Sequence, residues 1–326
     1  MSSELYHVKQ QFVLGIQQKH TSSVLLTFVP GAYKTLINLS LPEPDSPTYM
    51  PTLLYQARAH VALNDPESAL KLLPNDSDNV AVKAAVSFAR YVSATQDAKK
   101  ETIDASLEEL RDLAVEVEGD DDEADRNDKS LVRVLAGTAF SIAGEVEEAL
   151  ETLGVDTEDL EAVSVIVQIY LSINRPDLAK KQFERSKRWA EDDLLLQLIE
   201  TTIGLVTGKD GYSNTSSFYT EQLANPSLSS PHLLTSRGVT RILRNEIQGA
   251  KSDLDESLEQ QKGDAEATAA LVVAGGLGAL KKPETEELWT QFVANYPRHP
   301  LVLDVLAKEA LFDEFASKFT VPPLAA

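Results

Sequence analysis

The chain contains no cysteine, only two tryptophans and two methionines, and far fewer basic than acidic residues. Without cysteine it has no disulfide framework, no thiolate nucleophile and no zinc site built on sulfur. Its 326 residues include 51 acidic and 30 basic side chains, so the formal net charge is −21. Because an acidic surface repels phosphate groups, we expect no binding to nucleic acid.

Long apolar runs are also missing. The N-terminal sequence MSSELYHVKQQF has no basic region followed by a long apolar stretch, so no secretory signal is predicted. The most apolar early run, residues 24–29, falls far short of the about 20 residues that a membrane-spanning helix needs. We therefore expect a cytosolic protein.

Apolar residues recur with a helical period along the whole chain. Residues 130–143 and 162–173, for example, have the length of helices, and most such segments end near Gly, Asn or Pro. The breaks between segments are short, as at residues 64–66 and 174–177. Alternating strand patterns joined by Asn-Gly or Asp-Gly turns are not found. The sequence therefore predicts an all-α protein made of antiparallel helical hairpins.

Four copies of one spacing are typical of tetratricopeptide repeats. In each copy a small or apolar residue late in the first helix is followed twelve residues later by an alanine in the second helix. We predict that these residues lie where two helices cross closely, because larger side chains would push the helices apart. The pairs are Ala57 with Ala69, Gly137 with Ala149, Val167 with Ala179, and Gly238 with Ala250.

The gaps between these copies hold further, degenerate helix pairs. We predict one pair at residues 79–118, another at 191–223, two helices at 265–280 and 285–296, and a C-terminal capping helix at 301–319. Residues 1–326 then form a single tetratricopeptide-like α-solenoid, a right-handed superhelix in which each hairpin buries its apolar face against its neighbours.

Two stretches depart from the repeat pattern. Residues 116–128 carry eight acidic side chains and are interpreted as a solvated acidic loop. Residues 16–31 interrupt the first hairpin, since Gly15 would otherwise run directly into Ala32 as a normal turn. They are interpreted as an atypical insertion or as an error in the gene model.

Nothing in the sequence predicts catalytic, cofactor-binding or metal-binding residues. No two of the five histidines have the i, i+4 spacing of a helical metal pair. The glycine-rich residues 274–278 follow no strand, so we interpret them as small residues for close helix packing rather than as a phosphate loop. Trp189, Trp289 and Phe292 lie at helical spacings and are interpreted as core.

The remaining candidate function is partner binding. In helical-repeat arrays the first helices of the hairpins line the concave side. Counting from the small residues predicts a groove lined by Leu54, Arg58, Val61, Val134, Thr138, Ser141, Ser164, Gln168, Leu171, Thr235, Val239 and Ile242. Its apolar character favours permanent burial of an extended or hairpin segment of a partner. The alternative is that these residues contact only adjacent repeats.

Three stretches carry a family resemblance. One is residues 157–198, with VQI at 167–169, NRPDLAKK at 174–181 and AEDD at 190–193. The others are ELYHVK and FVLG at 4–9 and 12–15, and RHP, AKE and FD at 298–300, 307–309 and 312–313. Together they resemble the epsilon subunit of coatomer, the COPI vesicle coat, over nearly the whole chain apart from residues 16–31 and the acidic loop.

The resemblance implies a stoichiometric coat component without catalytic activity and without a cofactor. Its implied partner is the C-terminal region of the coatomer alpha subunit, around which family members curl. It further implies recruitment to Golgi membranes and COPI vesicles through partners, on the cytosolic side, and transport within the Golgi and back to the ER.

Two other functions stay open at this point. One is a tetratricopeptide co-chaperone or adaptor that grips an acidic C-terminal peptide, a task that needs inward cationic side chains. The predicted groove offers only Arg58 for it. The other is an enzyme with a degenerate site, for which no residue constellation is found.

Overall fold

The computed structural model describes residues 33, 36–74, 76–118, 126–190, 192–208, 211–224, 230–297 and 299–319. Over this part of the chain there are 15 α-helices, one short π-helical turn and no β-strand. The all-α prediction is therefore confirmed. The predicted insertion at residues 16–31 lies outside the described residues.

Fourteen helices form seven consecutive hairpins, and the last helix follows them alone. The hairpins are α1 (Tyr49–Ala62) with α2 (Pro66–Leu72), α3 (Val80–Asp97) with α4 (Lys100–Glu116), α5 (Arg126–Ala143) with α6 (Val146–Leu153), α7 (Leu160–Ser172) with α8 (Pro176–Ser186), α9 (Leu194–Thr207) with α10 (Gly211–Ala224), α11 (Pro231–Leu243) with α12 (Ile247–Gln260), and α13 (Ala265–Ala274) with α14 (Lys282–Asn295). The final helix is α15 (Pro300–Ala316). The predicted degenerate pairs correspond to α3 with α4 and to α9 with α10.

A left-handed residue joins the two helices in each of the four predicted repeats. Asn64, Gly144, Asn174 and Asn245 have φ angles of 64°, 87°, 56° and 62°. Each lies seven residues after the small residue of its repeat. Glycine and asparagine adopt this conformation most readily, so the chain can reverse direction sharply at these positions. The repeat thus fixes the turn as well as the packing.

The predicted packing residues lie in the helix crossings. Ala57, Ala69, Ala149, Ala179 and Ala250 are all buried. At the two glycines of the set the paired helices approach closely.

A Cβ added to Gly137 would lie 2.5 Å from Cγ of Leu153, and one added to Gly238 would lie 3.0 Å from the side chain of Leu254. In both repeats the leucine stands sixteen residues after the glycine. The glycine therefore makes room for a leucine of the second helix.

The chain divides into two compact units, one ending at Glu221 and one beginning at Gln222, within α10. In the first unit, the first helices α1, α3, α5, α7 and α9 each contact the next one, and the second helices α2, α4, α6 and α8 each contact the hairpin that follows. In the second unit α11 and α12 both contact α13. Each unit shows the stacking that a repeat array requires. One continuous solenoid over residues 1–326 stays a prediction.

The predicted acidic loop is shorter than the sequence indicated. Helix α4 extends to Glu116, and α5 already begins at Arg126. Asp128 lies in the first turn of α5, where a negative side chain interacts favourably with the positive end of the helix dipole. Residues 119–125 lie outside the described part of the chain.

The glycine-rich residues after α13 have two separate roles. A Cβ on Gly275 would lie 2.9 Å from Oγ1 of Thr285, so this glycine permits close packing as predicted. Gly276 instead faces open space, and Gly278 has a φ of 101° at the end of the π-helical turn. Close packing thus explains one of these glycines and backbone conformation another.

Candidate partner-binding surface

The predicted groove is only partly open in the structure. Six of its twelve residues are buried within their own unit: Leu54, Val61, Val134, Ser164, Thr235 and Val239. The other six are half-buried: Arg58, Thr138, Ser141, Gln168, Leu171 and Ile242. For these six residues the structure favours the alternative that they contact adjacent repeats, and partner binding by the other six stays a prediction.

A cleft of about 500 Å³ opens where the starts of α5, α7 and α9 approach α1 in the first unit. Three residues of the predicted groove line it: Leu54, Arg58 and Val134. Its other lining residues are Pro51, Tyr55, Asn127, Asp128, Ser130, Leu131, Glu158, Asp159, Leu160, Glu161, Trp189, Ala190, Asp193 and Leu195. Side chains from four first helices, or from the residues just before them, therefore meet at one place.

An ion pair crosses this cleft from α1 to α7. The Arg58 guanidinium donates from Nη2 to Oε2 of Glu161 over 2.5 Å, and the two side chains are only 11% and 14% exposed. Arg58 also lies over the ring of Tyr55, with 5.6 Å between its Cζ and the ring centroid. Arg58, Glu161 and Tyr55 all line the cleft.

Burial and charge together shift the pKa values around this pair. Burial disfavours the charge of Arg58, but the Glu161 carboxylate and the nearby Tyr55 outweigh it, so the pKa of Arg58 is raised. Burial raises the pKa of Tyr55 above its ordinary value, and Glu161 adds to the effect. Burial likewise raises the pKa of Tyr33. At neutral pH both tyrosines therefore stay neutral beside a charged Arg58.

The rim of the cleft is acidic, and two of its five carboxylates also cap helices. Asp159 and Asp193 are the N-caps of α7 and α9, and their Oδ1 atoms accept hydrogen bonds from the backbone at Glu161 and Leu195 at 2.9 and 2.8 Å. Asp128 accepts a hydrogen bond from Asn79 at 2.6 Å. These acids therefore stabilise the helix starts that form the cleft.

Sequence reasoning missed several of the residues that build the cleft. Trp189 was predicted to lie in the core, but it is 38% exposed and forms part of the cleft wall. Phe292, by contrast, is buried as predicted, and Trp289 packs against it. Tyr55 and Glu161 had no sequence signal of their own, because their roles depend on the approach of α1 to α7.

A second surface lies in the other unit, on α15. Val302 is its one buried residue, while every residue from Val305 to Phe319 is exposed. Phe312 and Phe319 are 72% and 75% exposed. A terminal repeat normally ends on a polar outer face, so the predicted role of α15 as a cap does not account for these side chains.

The described residues contain no group of three or more His, Cys, Asp or Glu side chains placed to hold a metal ion. Over the same residues, no helix combines the length and apolarity that crossing a membrane requires.

The family model and the related sequences agree on one family. The chain matches the family model described as "Coatomer epsilon subunit" over residues 1–320. It is similar to the probable coatomer subunit epsilon of Schizosaccharomyces pombe, with 24% identity over 98% of this chain and 96% of that protein. It is also similar to coatomer subunit epsilon-1 of Arabidopsis thaliana, with 27% identity over 90% of this chain and 94% of that protein.

A solved tetratricopeptide repeat protein from Parabacteroides merdae aligns with 74% of this chain and 97% of its own, with a TM-score of 0.45 and 13% identity. The fold assignment itself rests on the helices described above.

Proposed function

The chain belongs to the coatomer epsilon subunit family, and from this we propose that it binds and stabilises the alpha subunit within the COPI coat. As a member of this family it is a structural component of the coat and sits in a hetero-oligomeric complex. That complex associates with Golgi and vesicle membranes from the cytosol. We further propose that the chain acts in Golgi-to-ER retrograde and intra-Golgi transport, and that it carries out no catalytic step.

The observation that carries the alpha-subunit proposal is the cleft between α1, α5, α7 and α9. It combines half-buried apolar side chains of Pro51, Leu131 and Leu160 with the exposed edge of Trp189. Such a surface suits a segment of a permanent partner better than a charged peptide tail, because apolar area drives lasting association.

The co-chaperone alternative finds less support. A clamp for a C-terminal carboxylate needs a cationic side chain that is available to the peptide. Arg58 is the one cationic side chain among the described residues that line the cleft, and Glu161 already neutralises it. An acidic peptide would also meet the carboxylates of Asp128, Glu158 and Asp193.

Membrane association is proposed to be indirect. A chain with a net charge of −21 is repelled by anionic lipid headgroups. The chain is then held at the membrane by the other coat subunits.

The experiment combines this chain with the C-terminal region of the alpha subunit from the same organism. We expect a one-to-one complex in size-exclusion chromatography with light scattering, and a raised melting temperature, because a ligand that binds only the folded state stabilises it. The absence of a complex at micromolar concentrations would overturn the proposed function.

Two matched variants locate the site. Glu158→Arg adds bulk and reverses a charge in the cleft, whereas Glu184→Arg makes the same change at an exposed position on α8, away from the residues that line the cleft. We expect the cleft variant to weaken alpha-subunit binding by about tenfold or more and the control to leave it within about twofold. If the two variants bind the alpha subunit with equal affinity, the cleft is not the binding site. The proposal that the chain binds the alpha subunit would not be affected.

A further inference from the structure

Helix α15 projects from the second unit after its first turn. Val302 packs with Ala269 and Phe292, and beyond it no residue of the helix is buried. A single helix of this length is marginally stable in water, and its exposed apolar side chains, among them Leu303, Leu306 and Phe312, add to the cost. The free part of α15 therefore has the properties of a surface that another helix covers.

The spacing of its apolar residues specifies the kind of partner. The side chains at positions 301, 305, 308, 312, 315 and 319 are alternately four and three residues apart, which is the heptad spacing of a coiled coil. They are Leu301, Val305, Lys308, Phe312, Phe315 and Phe319, and together they are called the seam of α15. Lys318 and Phe319 follow the helix in a turn whose backbone N–H groups donate to the carbonyls of Phe315 and Ala316. A seam of this kind packs against a second helix of similar length.

We propose that α15 pairs in antiparallel orientation with α15 of a second copy of this chain. In this register Val305 faces Phe315 of the second copy and Lys308 faces Phe312. Leu301, which also packs against the cluster of Phe292 and Val302 in its own chain, faces Phe319 at each end. Large side chains then fill every layer, and the ammonium group of Lys308 lies against an aromatic ring, a favourable cation–π arrangement.

Charges beside the seam select the orientation. Asp304 on α15 and Lys318 in the turn that follows α15 lie on the same flank, and antiparallel pairing places each opposite the other in the second copy. Leu311 lies between these two residues on the same flank. In the antiparallel pair it contacts Leu311 of the second copy at the twofold axis. Parallel pairing would instead oppose Lys308 to Lys308 inside the seam and Asp304 to Glu309 beside it, so like charges would meet twice.

The same charges are satisfied in the single chain. Lys308 pairs with Asp304 at 2.5 Å and Lys318 pairs with Glu314 at 2.7 Å, both within the helix and exposed. Exposed pairs contribute little, so their exchange for intermolecular pairs costs little. On the other flank the two Glu309 carboxylates approach each other, and a single helix pair is a small interface. The dimer is therefore reversible.

The proposal is tested on the full-length chain alone by sedimentation equilibrium. We expect a monomer–dimer equilibrium at concentrations on the order of micromolar, typical of a small interface. Asp304→Lys or Lys318→Asp places like charges opposite each other and should weaken the dimer by about fivefold or more. The double variant Asp304→Lys/Lys318→Asp restores opposite charges and should return the dissociation constant to within about twofold of the unmodified chain.

The absence of cysteine permits a second, direct test. Leu311→Cys places a single thiol beside its counterpart on the twofold axis, whereas Ala310→Cys places one on the far side of the helix. A short bis-maleimide should crosslink the first variant into dimers and leave the second monomeric.

Three results would overturn the proposal. A chain that is monomeric at all concentrations excludes the dimer, and a double variant no tighter than the single ones excludes the antiparallel register. A monomeric chain whose Phe312→Ser variant loses binding to the alpha subunit would assign α15 to that subunit instead.

Discussion

Arg58 on α1 and Glu161 on α7 form an ion pair although 103 residues separate them. They belong to the first and the fourth described hairpin, so the pair bridges three intervening stacking steps. Two long side chains held at 2.5 Å and mostly withdrawn from water fix the distance between α1 and α7. The pair therefore helps to set the width of the cleft beside it.

Replacing Arg58 by methionine should destabilise the first unit by about 1.5–3 kcal/mol, because Glu161 is left with an uncompensated, mostly buried charge. Urea unfolding measures the change. The double variant Arg58→Met/Glu161→Gln removes that charge and should recover part of the loss. A double variant that loses the sum of the two single effects would show that the two side chains do not interact.

The Gly137 crossing should not accept a methyl group. Gly137→Ala brings the new carbon against Leu153 and should cost about 1–3 kcal/mol through overpacking. Gly276→Ala makes the same chemical change where no heavy atom lies within 4 Å, and it should be neutral or stabilise the chain by up to about 1 kcal/mol. Urea unfolding compares the two variants. Equal effects would contradict the packing described for the repeats.

Stability should fall in acid partly through the carboxylates around Arg111. Arg111 on α4 contacts Glu148 and Glu145 of the next hairpin at 2.7 and 2.6 Å. Its hydrogen bond to Glu148 lowers the pKa of that carboxyl below the ordinary value of 4.5. A lowered folded-state pKa contributes stability above pH 4.5 that is lost as pH falls through the folded value.

The corresponding variant is Arg111→Gln. Its free energy of unfolding should decrease less steeply than that of the unmodified chain as the pH falls below 4.5. Arg90→Gln is the matched control, since Arg90 forms only an exposed pair with Glu109 at 3.5 Å. The measurement is urea unfolding on both sides of pH 4.5. An Arg111 variant with the same pH slope as the control would refute the role of this cluster.

The same truncation should destabilise the chain strongly at Phe292 and hardly at all at Phe312. Phe292 is 1% exposed and packs against Trp289, Tyr296 and His299, so Phe292→Ala should cost about 3–5 kcal/mol. Phe312 is exposed in the single chain, and Phe312→Ala should change its unfolding free energy by no more than about 0.5 kcal/mol at concentrations where the chain is monomeric. A large loss for Phe312 would show that its side chain is buried within the chain.

Local features of the fold were predictable from the sequence because they repeat. The twelve-residue spacing of the small residues located four helix crossings, and the structure places buried residues at all of them. The turn residue seven positions after each small residue follows the same rule, although the spacing alone had not identified it. Helix periodicity and close packing are encoded within a single hairpin.

Features that depend on distant hairpins were not predictable in the same way. The partners Arg58 and Glu161 come from repeats whose approach depends on how each hairpin packs on the next. For the same reason the sequence predicts Trp189 in the core, and it leaves open which groove residues face a partner; six of them are buried. The exposed seam of α15 was overlooked because a terminal helix was interpreted as a cap.

The measurement that tests the account most directly is native purification of this chain from its host, with quantitative mass spectrometry of the proteins that accompany it. Our account predicts that the coatomer alpha subunit is recovered in equal amount with this chain, together with the other coat subunits. Recovery of the chain in other complexes, without the alpha subunit, would contradict it.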